Sequence, residues 1–306
     1  MNQNIIVTIS PHIKSKNTIQ KVMLDVIIAC IPVMLASFYF YKTNAIKLIS
    51  ACVFFSCATE YVFQKITKRK NTINDLSAVV TGILLAFCLP PKLPLWIAGL
   101  GAIFSIAVGK QIFGGIGYNP FNPALIGRAF LQVSWPKEMG YWTSPFDGIT
   151  SATPLTISKL NLSEKLPDFF DMFLGNIPGS LGETSKIAII LGALYLLMRK
   201  QIKLYTPFSY ILSAMVLSLI LKSNPVFHIL TGGLFLGAFF MATDPVTTPI
   251  TNAGKIIFGI GCGFLTIIIR IKGGFPEGVC YSILIMNMFT PIIDKITKVK
   301  RFGSER

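Results

Sequence analysis

From Val22 to Tyr41 the chain is apolar apart from Asp25, a run of the roughly 20 residues that a helix needs to cross a bilayer. Nine more apolar runs follow, at about 46–63, 76–90, 95–112, 124–135, 186–198, 204–221, 226–241, 254–270 and 279–293. In hydrocarbon every backbone N–H and C=O must be bonded within the protein, and a helix does so within one segment. The pattern predicts an all-α polytopic membrane protein with about ten transmembrane helices. Only 13% of residues are charged and mean hydropathy is +0.63, where a soluble domain would carry about a quarter charged residues. The first run is long for a signal peptide and lacks a small-residue cleavage site, so it reads as the first span.

Basic residues set the orientation of such a chain. The segments assigned to the cytoplasm carry Lys14, Lys16 and Lys21; Lys65, Lys68, Arg69 and Lys70; Arg199, Lys200 and Lys203; and Lys295, Lys298, Lys300, Arg301 and Arg306. The one long polar stretch, 136–185, has three lysines against six acids. Alternation then gives a cytoplasmic N-terminal segment (1–21), a first membrane half (22–135), an extracytoplasmic loop (136–185), a second membrane half (186–293) and a basic cytoplasmic tail (294–306). Run 124–135 is short for a span, and re-entry there would move the loop inside, against the later basic segments. Five spans on either side of the loop permit two inverted five-helix halves. N-P-F-N-P-A-L-I-G-R at 119–128 resembles D-P-V-T-T-P at 244–249, but these follow the fourth span of one half and the third of the other.

The net charge of +15 lies at the ends of apolar runs, with no basic stripe interleaved with aromatics, so it points to membrane lipid and not to nucleic acid. The six cysteines stand singly without C-x-x-C, and His12 and His228 are the only histidines. That usage disfavours iron–sulfur, zinc and haem sites of the common kinds within this chain.

Two stretches put glycines, prolines and polar side chains inside or beside apolar sequence: 114–128, with Asn119, Asn122 and Arg128, and 243–259, with Thr243, Asp244, Thr247 and Thr248. Irregular backbone at membrane depth survives only where protein or a cavity surrounds it. The functional reading is a pair of broken-helix loops facing each other around a ligand or ion. The plainer one is tight cytoplasmic turns, with Asp244-Pro245 opening a helix and Arg128 snorkelling to the inner surface. Asp25 and Glu60 lie in or near apolar runs, either on an ion path or at helix ends in the headgroup region. Trp135, Tyr141, Trp142 and Phe146 read as an interfacial belt or as packing for a ring-shaped group.

Within the polar stretch, D-G-I-T-S-A-T at 147–153 lies between Pro145 and Pro154. Pro154 biases Thr153 towards extended backbone, with its hydroxyl presented to solvent. The run resembles the signal at which a flavin transferase joins FMN to threonine through its phosphate. Asp147, Thr150, Ala152 and Thr153 match; Ser151 stands where glycine is usual.

The order of motifs extends the likeness over nearly the whole chain. S-P-H-I at 10–13, G-G-I-G-Y-N-P-F-N-P-A-L-I-G-R at 114–128, the signal at 147–155, P-G-S-L-G-E-T-S at 178–185, A-T-D-P-V-T-T-P at 242–249 and G-G-F-P-E-G-V at 273–279 occur in sequence. Together they resemble the family of Rnf-complex D subunits and are similar to the B subunits of the sodium-translocating NADH:quinone reductases. The resemblance implies a bacterial cytoplasmic-membrane subunit with covalent FMN at Thr153 on the outer face. It also implies a second, non-covalent flavin, riboflavin, placed here near 114–128 and 243–248. The implied role is electron relay between reduced ferredoxin and NAD, coupled to Na+ or H+ movement. Implied partners are the other Rnf subunits: membrane subunits, a second FMN-carrying subunit, and the iron–sulfur and NAD-binding subunits. A solute channel or transporter without flavin, and a purely structural anchor, are the competing readings.

Overall fold

The computed structural model describes residues 18–160, 162–163 and 166–298, so S-P-H-I at 10–13 and the basic residues Lys300, Arg301 and Arg306 lie outside the described residues. The described secondary structure is helical, apart from one isolated antiparallel bridge between Thr143 and Thr150. In the first half, α1 (Ile19–Tyr41), α2 (Thr43–Ile66), α3 (Ser77–Phe87), α4 (Leu95–Ile106) and α5 (Pro123–Ser134) form the bundle. Three short helices follow: α6 (Pro136–Met139), α7 (Pro154–Leu160) and α8 (Phe169–Leu174). The second half is α9 (Lys186–Met198), α10 (Tyr205–Ile220), α11 (Pro225–Leu230), α12 (Leu234–Leu236), α13 (Asn252–Lys272) and α14 (Val279–Ile296). Of these, α1, α2, α13 and α14 are long and apolar enough to cross a bilayer, and α3, α4, α9 and α10 are shorter apolar helices. The protein is therefore an all-α polytopic membrane protein.

Local chemistry sets the helix starts. Asn122 accepts from the backbone N–H groups of Ala124 and Leu125 at 3.1 and 3.4 Å with Pro123 in the first turn, and Asn224-Pro225 repeats the device at α11. Thr18, Ser185 and Thr251 cap α1, α9 and α13 with their hydroxyls. Such caps satisfy amides that the first helical turn leaves unpaired.

Two helices end in wide π-helical turns, α4 through Ala107–Gln111 and α12 through Gly237–Met241. Each turn feeds one of the two polar loops. The expected span 226–241 is not continuous: α11 stops at Leu230, Thr231 is extended, and Gly232 takes φ +63° before α12 begins. The break is held from elsewhere. The Arg270 guanidinium satisfies the freed carbonyls, donating to His228 O and, at 3.0 Å, to Thr231 O.

Helices meet through small residues, as close backbone approach in a membrane requires. A Cβ on Gly82 of α3 would lie 2.8 Å from the Val53 Cα of α2, and Gly259 and Gly263 of α13 abut Ser209 and Ser213 of α10. The packing repeats between halves. Helix α2 packs on α4 as α10 packs on α13, α4 on α5 as α13 on α14, and the two halves meet through α1 on α9 and α5 on α14. Asp25 near the start of α1 binds Arg199 just beyond the end of α9, so this pair runs in opposite directions. The two polar loops still occupy non-equivalent places in this repeat, as the motif register requires.

The end of the polar stretch departs from a simple surface loop. Leu181 N donates to Leu89 O at 3.2 Å, Gly182 N to Phe87 O at 2.9 Å, and Ser37 Oγ to Leu181 O at 2.7 Å. Ser180, Leu181 and Thr184 are buried. Residues 178–185 thus dip into the bundle at the end of α3, with backbone groups satisfied by the chain itself.

Candidate functional site

Connections segregate to the two ends of the bundle. At one end Lys92 Nζ donates to Gly148 O at 2.6 Å, and Lys159 Nζ to Gly273 O and Phe275 O, each at 2.6 Å. At the other, Arg69 reaches Gln111 O at 3.1 Å, Lys203 reaches Asn252 at 3.0 Å, and Ile250 N donates to Asp294 at 2.9 Å. Partial desolvation lowers the Lys159 pKa from its usual value.

The two broken-helix loops do face each other. Asn119, Asn122, Thr243 and Asp244 line one cavity of about 260 Å³, together with Ser77, Thr81 and Lys110. Asn122 Nδ2 donates to Met241 O at 3.3 Å, joining the loops directly. Thr247 and Thr248 stand behind this wall: Thr247 Oγ1 donates to Asp244 Oδ2 at 3.0 Å, and Thr248 Oγ1 to Asp244 O at 2.7 Å. They shape the loop and do not line the cavity.

Arg128 corrects the expectation for its stretch. It neither snorkels nor joins Asn119 and Asn122. Its side chain is 7% exposed and ion-paired with Glu183 at 3.2 Å and with Glu277. Helix α5 starts beside the first cavity and carries Arg128 to a second one. That cavity, about 270 Å³, is lined by Arg128, Gln132, Trp142, Thr156, Phe275 and Tyr281, among others. Phe275 and Tyr281 stack at 5.1 Å, and the Tyr281 hydroxyl is buried without a hydrogen-bond partner among the described residues.

Thr153 sits at a small adjoining cavity of about 40 Å³ that shares Trp142, Pro276 and Glu277 with the larger one. It is half-buried, and its Oγ1 lies 2.9 Å from Thr156 Oγ1 and accepts from Thr156 N at 3.2 Å. The expected freely presented hydroxyl is instead a hydrogen-bonded group at the start of α7. Ser151 and Trp142 pair backbone to backbone at 3.1 Å in a hairpin whose tip is Asp147-Gly148. Asp147 and Thr150 are exposed on it, Ala152 is half-buried, and the Ser151 hydroxyl meets Ser144 Oγ at 3.0 Å, an anchor that glycine lacks. Of the four aromatics singled out in the sequence, only Trp142 lines these cavities. Phe146 packs on Tyr39 and Phe40, and Trp135 on Trp96 and Phe130.

Asp25 and Glu60 are both buried and paired. Asp25 accepts from Tyr195, Arg199 and Gln201 at 3.1, 3.1 and 2.7 Å. Glu60, 0% exposed, binds Lys110 Nζ through both oxygens at 2.8 Å and also Gln111, Gln64 and Thr72. Lys110, Glu183, Lys186, Arg270 and Glu277 are not among the candidates that the sequence singles out. Lys110 carries a signal, a lysine inside an apolar run; the others sit at run edges, where charges are common.

A helical bundle whose irregular, polar segments are enclosed by protein defines a polytopic membrane protein with internal cavities. The chain belongs to the NQR2, RnfD, RnfE family, which it matches over residues 6–303. It is 45% identical over 311 residues to the D subunit of the Na+-translocating ferredoxin:NAD+ oxidoreductase complex of Acetobacterium woodii, covering 99% of this chain and 97% of that one. It is 44% identical to the D subunit of the proton-translocating ferredoxin:NAD+ oxidoreductase complex of Clostridium ljungdahlii, covering 97% and 96%. The D subunit of the ion-translocating oxidoreductase complex of Ectopseudomonas mendocina is 34% identical, over 97% of this chain and 95% of that one. With its apolar helices, this makes the chain a bacterial membrane protein.

Proposed function

We propose that this chain is the membrane flavoprotein subunit of an Rnf-type complex, holding FMN by a phosphodiester at Thr153 and riboflavin between its two broken-helix loops. Bound there, the flavins supply redox chemistry for electron relay between reduced ferredoxin and NAD, coupled to Na+ or H+ translocation. NAD and iron–sulfur sites belong to partner subunits.

The observation that carries the reading is the place of Thr153, whose residue lines a cavity joined through Trp142 and Pro276 to a larger aromatic one. The residues fit the group. The larger cavity approaches the roughly 300 Å³ lower bound of small-molecule sites, with apolar walls and few polar groups. The unpartnered Tyr281 hydroxyl gives a buried polar atom for a ring heteroatom. Thr153 Oγ1 supplies the ester oxygen, and its bond to Thr156 N fixes that oxygen at the start of α7. Attachment holds the ring at high local concentration without a tight pocket. In the first cavity, Asn119, Asn122 and Thr243 offer donors and acceptors for a second flat polar ligand. The distribution of basic segments supports both termini in the cytoplasm and Thr153 outside, where an extracytoplasmic flavin transferase would act.

The test is in-gel flavin fluorescence of the denatured chain, coexpressed with a flavin transferase, beside Thr153→Val. A band lost in the variant is expected. A dark wild-type band, still dark after Ser151→Gly, overturns covalent attachment and favours the flavin-free transporter.

A further inference from the structure

Among the described residues, five acidic and basic side chains meet beside Thr153, and their numbers do not balance. Arg128 clamps Glu183 and Glu277 into one group, which the Gly233 backbone N–H closes on Glu277 at 2.7 Å. Lys186 and Arg270 add two more cations. Lys186 is 0% exposed and Arg270 3%. Among the described residues neither has a carboxylate oxygen within 4.0 Å. The Lys186 ammonium donates to the Glu183 carbonyl, and Arg270 donates to two carbonyls while its Nε has no partner among the described residues. Among the described residues, three basic side chains stand against two carboxylates in this buried cluster, an excess of one basic group. A buried charge is strongly unfavourable unless a counter-charge meets it. Lys186 and Thr153 line the same small cavity.

We propose that Lys186 is the cationic seat for the phosphodiester carried at Thr153, whose single negative charge completes the balance of this buried cluster. The inference rests on the FMN reading above and deepens it. An ammonium meets a phosphate oxygen as a compact point charge and tolerates the position of a tethered group. Lys186 is a positioning residue: it holds the anion, docks α7 against the bundle, and leaves the ring free to occupy the aromatic cavity.

The experiment uses the whole complex carrying Lys186→Gln, which removes the charge and keeps a donor for the Glu183 carbonyl, beside Lys186→Arg and Thr153→Val. Mass spectrometry of the peptide spanning 150–160 reports the attached FMN, and hydrogen exchange of the same peptide reports docking. In the wild type, FMN should slow exchange roughly tenfold or more relative to Thr153→Val, as one charge-assisted bond allows. Lys186→Gln should retain the FMN mass and lose that protection, and Lys186→Arg should restore most of it. Protection unchanged in Lys186→Gln overturns the seat while leaving attachment intact. Absence of the FMN mass from the wild-type peptide overturns both. In a host without the transferase, Lys186→Gln should assemble at least as well as wild type, since there it removes an unbalanced charge; failure to assemble there overturns the charge argument.

Discussion

The Asn122 side-chain amide donates to the backbone carbonyl of Met241 at 3.3 Å, tying the loop after α4 to the π-helical turn that ends α12. One asparagine thereby caps α5 with its oxygen and bridges the two halves with its nitrogen. In Asn122→Asp the capping acceptor survives and the donor is lost. Under the two-flavin proposal, the expected result is a folded complex with less acid-extractable flavin and unchanged covalent flavin, measured by fluorescence of extract and pellet.

Glu60 and Lys110 are each at most 2% exposed and meet at 2.8 Å. Removing one partner strands the other in the bundle, at a cost of about 3–5 kcal/mol. Glu60→Gln and Lys110→Met should each lower the unfolding temperature of the complex sharply. The double substitution Glu60→Leu with Lys110→Met should recover much of the loss, as read by thermal unfolding in detergent.

Gly233 lies between two carboxylates of the buried cluster. A Cβ there would sit 2.6 Å from Glu183 Oε1 and 2.8 Å from Glu277 Oε1. Gly233→Ala should cost about 1–3 kcal/mol, the usual range for overpacking. Gly274→Ala, where a Cβ meets nothing within 4 Å, is the control and should leave unfolding unchanged.

Lys159 fastens α7 to the end of α13 through two carbonyls. Lys159→Met should release α7 while the bundle stays intact. Limited proteolysis should then cut faster between 150 and 163, with no change in the temperature at which the complex unfolds.

Much of the architecture is legible in the sequence because lipid imposes a strong rule on it. The expected spans coincide with helices to within a few residues, as at 186–198 and 279–293 against Lys186–Met198 and Val279–Ile296. The exception is 226–241, broken at Thr231–Gly233. Its apolar composition reads as one helix, and the groups that stabilise the break, Arg270 and Glu277, lie about 40 residues away. The meeting of Asn119 and Asn122 with Thr243 and Asp244 is also expected, since polar loops at membrane depth need enclosure.

By itself the sequence determined an all-α polytopic bundle, the places of its irregular segments and the attachment-like signal ending at Thr153. Apolar run length and charge position are local properties, and each span obeys them independently. Only the tertiary structure decided which charges meet: Arg128 with Glu183 and Glu277, Lys110 with Glu60, and Lys186 beside Thr153 with no carboxylate oxygen within 4.0 Å among the described residues. Such pairings join residues 50 to 149 apart in the chain. They follow from how helices cross and where segments dip inward, so no run of neighbouring residues encodes them.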